Sequence, residues 1–138
     1  MKIISKKLKT GIKALAITCL LIITVASKTH AQHLEANMLF NEWHLDTYAV
    51  SGIKYPPNKK EKEDFILFKE DLSFISKSEG KQEEGTYILN TNGSYVLMRY
   101  KNVGKLKANI ISVTKKHLIL KFDINEMRDV EVHYNSPI

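Results

Sequence analysis

The chain has 138 residues, 26% of them charged, and a single cysteine; this size suits one domain, and the composition excludes a disulfide-stapled scaffold. The net charge of +6 comes entirely from the first 31 residues: six of the 21 Lys and Arg precede Gln32, all 15 Asp and Glu follow it, and the remainder balances at 15 against 15. No basic surplus is left for the electrostatic stripe that nucleic-acid binding requires, so no nucleic-acid partner is expected.

The first predicted element is a leader. Lys2, Lys6, Lys7, Lys9 and Lys13 form a basic head with no acid, the apolar run Ala14–Ser27 follows, and Thr29-His30-Ala31 ends on a small residue. This order predicts a secretory signal peptide over residues 1–31, cleaved before Gln32. A run of about 14 apolar residues is shorter than the roughly 20 needed to span a bilayer, so no integral membrane span is expected after cleavage. Cys19 sits in the middle of the apolar run, between Thr18 and Leu20, rather than just after it, which argues against lipidation. The domain expected over residues 32–138 therefore has no thiol chemistry and is stabilised by its apolar core alone. The protein is expected to be exported, either periplasmic or secreted.

From Leu34 onward the pattern is one of short alternating runs broken by turn signals every eight to twelve residues. Leu34–Phe40 reads as a short helical turn, and eight strands follow. Glu42–Val50 places Trp43, Leu45, Thr47 and Ala49 on one face. Asp64–Lys69 and Leu72–Ser78 are joined by the tight turn at Glu70-Asp71. Glu83–Leu89 aligns Gly85, Tyr87 and Leu89, and the turn at Asn90–Gly93 leads to Tyr95–Lys101. Lys105–Thr114 sets Leu106, Ala108 and Ile110 against Lys105, Lys107 and Asn109. His117–Phe122 and Arg128–Tyr134 alternate in the same way. Such alternation suits a sheet with one buried face. Short connections between eight sequential strands predict an antiparallel up-and-down barrel, with a two-sheet sandwich as the alternative. Ser51–Glu63, which contains Pro56-Pro57, is expected as a long loop at one barrel mouth, beside the turns near Gly80, Asn102–Gly104 and Asn125.

These runs bear a resemblance. Leu39-Phe40-Asn41-Glu42-Trp43-His44-Leu45 resembles the Leu-x-Gly-x-Trp-x-Leu opening of lipocalin-like domains in small exported proteins of Bacteroidetes-type bacteria. Phe68–Phe74 is similar to the family's Phe-x-x-Asp-Gly-Thr-Phe hairpin, Glu84–Tyr87 to its Gly-x-Trp strand, and Ile110–Leu120 to its Ile-x-x-Leu-Thr segment. Asn41 and Leu72 stand where the family pattern has Gly. The resemblance implies an eight-stranded lipocalin-like barrel and small-ligand binding. Larger lipocalins set an Arg of the last strand against the first-strand Trp. Here the antiparallel pairing of first and last strands places Trp43 near Tyr134, with Arg128 some 20 Å further along at about 3.3 Å per residue.

Residues of chemical interest are few. None of the serines lies in a Gly-x-Ser-x-Gly context, and no histidine is placed as a partner base, so no catalytic residue and no enzyme activity is expected. Glu83 and Glu84 are adjacent and point to opposite faces; Asp123, Glu126 and Asp129 surround a charged turn. His44 and His133 are expected as cross-strand neighbours, which is too few ligands for a structural zinc site, and no metal or cofactor is expected. Trp43, Phe74, Tyr87, Tyr95, Phe122 and Tyr134 form either the wall of a ligand cavity or a filled core, since an eight-stranded barrel has room for one or the other. Arg99 shares a face with Tyr95 and Leu97. If that face is inward, the guanidinium would suit an acidic ligand head group; if Val96, Met98 and Tyr100 point inward, Arg99 is a surface residue. Strand Tyr95–Lys101 is apolar on both faces, and periodicity leaves both open. The expected function is binding of a small apolar or amphipathic ligand; the alternative is a protein- or glycan-interaction module with a filled core, for which outward-facing Met98 and Tyr100 would supply an apolar patch.

Overall fold

A computed structural model describes residues 34–102 and 104–137; the expected signal peptide lies outside them. A single turn of 3₁₀ helix at Ala36–Met38 precedes nine strands: β1 (Glu42–Val50), β2 (Ile53–Tyr55), β3 (Phe65–Phe68), β4 (Ser73–Ser78), β5 (Lys81–Asn90), β6 (Tyr95–Tyr100), β7 (Gly104–Val113), β8 (His117–Phe122) and β9 (Val130–Asn135). A second 3₁₀ turn, Asn125–Met127, lies in the last connection, where the sequence pattern had extended the final strand back to Arg128.

Each barrel strand pairs antiparallel with its neighbours, and β1 pairs with β9. All strands but β2 thus close an eight-stranded antiparallel barrel. Alternation places the apolar residues inside: in β8, Leu118, Leu120 and Phe122 are buried while His117, Ile119 and Lys121 face out. The core runs through Leu39, Trp43, Phe68, Phe74, Tyr87, Val96, Met98, Ala108, Leu118, Leu120 and Val132. Gly85 lies between Phe74 and Tyr100 in register. A Cβ there would stand 2.0 Å from the Arg99 carbonyl oxygen. Its bare backbone lets the Phe74 and Tyr100 rings meet edge to face across it, with centroids 4.9 Å apart, a cross-strand covering of a strand glycine.

Two β-bulges break the alternation. In β1, Leu45 pairs with Tyr134 but Thr47 pairs with His133, so Asp46 is the extra residue. The inward parity passes from Trp43 and Leu45 to Tyr48, which pairs with buried Val132. In β7 the break between Ile110 and Ser112 leaves Ile111 exposed and returns Val113 to the core. A bulge inserts one residue and reverses the faces beyond it, which is why Thr47 does not share the inner face with Trp43 as its spacing suggested.

The stretch expected as one long loop is partly a hairpin. Ser51 and Gly52 have φ of 51° and 79°, the left-handed pair of a two-residue type I′ turn, and β2 returns along the outer half of β1. Glu79 and Gly80 repeat the same turn between β4 and β5. Leu72 (φ 66°) takes the left-handed position of the β3–β4 turn, where the family pattern has Gly.

Candidate functional site

The two ends of the barrel are closed differently. At one end Leu39, carried by the Ala36–Met38 turn, accepts a hydrogen bond of 3.0 Å from Trp43 Nε1. Asn41 Nδ2 donates to Ser136 Oγ at 2.8 Å, and the Asn41 carbonyl accepts from Phe68 N–H. Phe68 and Tyr87 stack edge to face with centroids 5.0 Å apart, and the Tyr87 hydroxyl donates to the Lys69 carbonyl at 2.7 Å. Burial and the nearby Asp71 carboxylate push the Tyr87 hydroxyl up to about 12. This end is sealed.

The other end opens because β1 loses β3 as a partner. Their register covers only Glu42–His44 against Phe65–Leu67; beyond it β2 takes the β1 edge and the segment 56–64 crosses the gap. A cavity of about 440 Å³ lies behind it. Its inner wall is built by Leu45 and Tyr48 of β1, Ile66 of β3, Ser76 of β4, Tyr100 of β6, Leu106 of β7, Phe122 of β8, and Val132 and Tyr134 of β9. Glu61, Asp64, Ile124 and Met127 stand at the rim. The turns near Gly80 and after Tyr100 and the 3₁₀ turn at Asn125 all lie at this end, as their positions in the chain predict.

The polar groups of the cavity gather on one side. The Tyr48 hydroxyl donates to the Glu61 carboxylate; burial first, then that bond, holds it well above the usual tyrosine range. Asp64 is 8% exposed, and its Oδ1 accepts the Glu79 N–H at 2.8 Å. Burial raises its pKa, opposed by that backbone bond; Glu61 and Glu79 add repulsion and Lys77 offsets part of it. Tyr100 is raised by burial, with the Ser76 hydroxyl bonded to it. Tyr134 is 6% exposed and strongly raised by the same cause, with Tyr48, Tyr100 and Asp64 as its polar neighbours.

Of the seven residues expected to contact a ligand, Phe122 and Tyr134 line this cavity. Trp43 and Tyr87 belong to the sealed end, and Phe74 is fully buried beside Tyr100. Tyr95 and Arg99 stand on the outer face, because the fully buried residues of β6 are Val96 and Met98. There Tyr95 accepts a hydrogen bond from Asn90 Nδ2 at 3.1 Å and carries Lys107 Nζ 4.5 Å above its ring. Of the two orientations left open for this strand, the structure has the one with Val96, Met98 and Tyr100 inside and Arg99 on the surface, so Arg99 does not reach the cavity and Met98 and Tyr100 form no outer patch. Sequence reasoning missed Tyr48, Tyr100, Glu61, Asp64 and Ser76 as cavity residues. The Ser51-Gly52 turn signal was available in the sequence; the bulge at Asp46 that turns Tyr48 inward had none.

The other polar candidates are surface groups. His44 pairs with Asn135 and His133 with Thr47, so the two histidines are not neighbours as expected; their rings meet Glu42 at 2.7 Å and Glu131 at 3.0 Å. Among the described residues no group of three or more His, Cys, Asp or Glu is placed to hold a metal ion. Glu83 meets Lys81 and Glu84 meets Lys101 on separate faces. Arg128 is exposed and lies 3.8 Å from Asp123, remote from the Trp43–Leu39 contact.

Comparison with known proteins bears on the fold. No protein-family model matches the chain, and no curated protein matches its sequence. A solved lipocalin-like protein from Bacteroides uniformis ATCC 8492 superposes with a TM-score of 0.55 at 16% identity, covering 72% of this chain and 98% of that one. A DUF4847 family protein from Bacteroides vulgatus ATCC 8482 aligns with a TM-score of 0.49 at 12% identity, over 71% of this chain and 93% of that one. The chain has a lipocalin-like barrel fold.

Proposed function

We propose that this protein is an exported, non-enzymatic binder of one small apolar or amphipathic molecule, taken up at the open end of the barrel. The observation that carries this reading is the cavity of about 440 Å³, in the volume range of small-molecule sites and walled mainly by apolar and aromatic side chains with a few convergent polar groups. Export rests on the basic head, apolar run and small-residue site of residues 1–31. The interaction-module alternative loses the feature proposed for it, since Met98 is fully buried and Tyr100 lines the cavity.

The test is titration of the purified protein with phenylnaphthylamine, a neutral apolar fluorophore. The expected result is a saturable rise in emission at one probe per protein, lost in Leu106→Trp, which fills the cavity from β7. A flat titration, or one unaffected by Leu106→Trp in a variant with unchanged melting, overturns the reading.

A further inference from the structure

The polar side of the cavity points to the charge of its occupant. We infer that the ligand is an amphipathic cation: an amine or quaternary ammonium head seated between Asp64, Glu61 and the tyrosine cluster, on an apolar body directed toward Leu106 and Val132. The inference rests on the carrier reading above and deepens it.

Three observations on different residues agree. The first is the balance of formal charge. Glu61 and Asp64 are the acids on the lining, and Glu79 and Glu83 act electrostatically on Asp64 and Tyr100. Lys77 is the one basic residue on the lining, and its Nζ is held at 3.0 Å by Glu63, an exposed carboxylate outside the cavity. Arg99, which could have received an acidic head group, is on the outer face. A carboxylate or phosphate ligand would enter against the two lining acids, with Lys77 already engaged by Glu63 and drawn toward Asp64.

The second observation is aromatic. Tyr48, Tyr100, Phe122 and Tyr134 come from four different strands and all line the same volume. Ring faces carry negative quadrupole density and attract cations within about 6 Å of the centroid, and cages of this kind hold ammonium heads.

The third is the gathering of polar groups at one place in the interior. Tyr134 is 6% exposed, lines the cavity, and lies within electrostatic reach of Tyr48, Tyr100 and Asp64. Asp64 is nearly as buried; its Oδ1 accepts the Glu79 N–H, and Lys77 attracts it against the repulsion of Glu61 and Glu79. A buried carboxylate is costly unless a cation or several donors meet it. An ammonium head seated among these groups brings its N–H donors to the carboxylate and the hydroxyl together.

The experiment uses chain-matched ligands of one length, octylamine, octanol and octanoate, competed against bound phenylnaphthylamine at neutral pH. Octylamine is expected to bind about tenfold or more tighter than octanoate, with octanol between them. Asp64→Asn combined with Glu61→Gln should remove that preference, bringing octylamine affinity down to that of octanol. Asn at position 64 retains an oxygen for the Glu79 N–H, so the fold is preserved; Tyr134→Phe is the second variant and should weaken octylamine more than octanol. Equal affinities, or tighter octanoate, overturn the cation inference and leave the carrier reading standing. Probe binding with no displacement by octylamine also overturns it. A protein that binds neither probe nor ligands fails the carrier reading itself.

Discussion

At the sealed end Trp43, Phe68, Phe74 and Tyr87 are buried against one another and against the Leu39 turn, and the polar atoms of Trp43 and Tyr87 are bonded to backbone carbonyls. At the mouth Tyr48, Tyr100, Phe122 and Tyr134 stand around a cavity in company with Glu61 and Asp64. Both ends are aromatic, and both are walled by the same strands. The difference is what the rings meet. One end maximises contact and bonds its polar atoms to backbone carbonyls; the other gives up contact for volume and keeps carboxyl and hydroxyl groups on the cavity wall. Ligand sites are commonly built at this kind of cost in stability.

The largest test of that contrast is Trp43→Ala. Removing a fully buried indole that is also bonded to Leu39 leaves a large void and an unpaired carbonyl in the seal. The expected loss is about 3–5 kcal/mol by denaturant unfolding. A loss near 1 kcal/mol would mean that the seal is loosely packed and the two ends are energetically alike.

A finer comparison removes one hydroxyl at each end. Tyr87→Phe deletes the 2.7 Å bond to the Lys69 carbonyl and should cost about 1 kcal/mol, the usual net worth of such a bond. Tyr134→Phe deletes a hydroxyl that faces the cavity and should cost well under half of that. Equal losses would show that Tyr134 is as firmly engaged as Tyr87, and would weaken the case that its hydroxyl waits for a ligand.

How much of this contrast was legible in the sequence depends on the end. The seal follows from alternation: Trp43, Phe74, Tyr87, Leu118 and Leu120 fall on inward positions because period-2 burial holds along most strands. The mouth was legible only as a place, through Ser51–Glu63 and the turns that join it. Its chemistry was not. Tyr48 reads as an outward residue opposite Trp43 and Leu45 until the bulge at Asp46 reverses the parity, and nothing in the residue types marks a bulge. In β6 both faces are apolar, so direction was decided by the neighbours: Val96 pairs with Ala108 on the inside, and Arg99 pairs with Lys105 on the outside. Asp64 and Glu61 are ordinary loop acids in the sequence; only closure of segment 56–64 across the β1–β3 gap brings them to the cavity.

Asp64 predicts a gain in stability where the sealed end predicts only losses. Its folded pKa lies above the ordinary value of 3.8, chiefly through burial. A raised acid holds its proton more tightly in the folded state, so its contribution turns unfavourable as pH climbs through the range above 3.8 and stays unfavourable at neutral pH. Asp64→Asn should therefore raise the melting temperature at pH 7, and the gain should shrink toward zero near pH 3, where the native carboxyl is protonated in both states. The same substitution should weaken octylamine binding. A variant that loses stability at pH 7 would show instead that Asp64 is a structural anchor for the Glu79 turn.

The smallest expected effect is the most useful control on where the site lies. Arg99 stands outside the barrel, in register with Lys105 and Thr86, and borders an outer crevice of about 340 Å³ lined also by Gly85, Phe74 and Tyr100. Like charges directly opposite on a strand pair repel weakly, and an exposed side chain of this kind contributes little to the fold, so Arg99→Ala should change stability by no more than about 0.5 kcal/mol. Probe binding and the order of octylamine, octanol and octanoate should also stay as they are, because Arg99 is not on the cavity lining. A tenfold loss of probe affinity in Arg99→Ala with unchanged melting would move the site to the outer crevice. The recognition chemistry would then reverse, since Lys69, Arg99 and Lys101 border that crevice against the single acid Glu84, and anionic ligands would be favoured over amines.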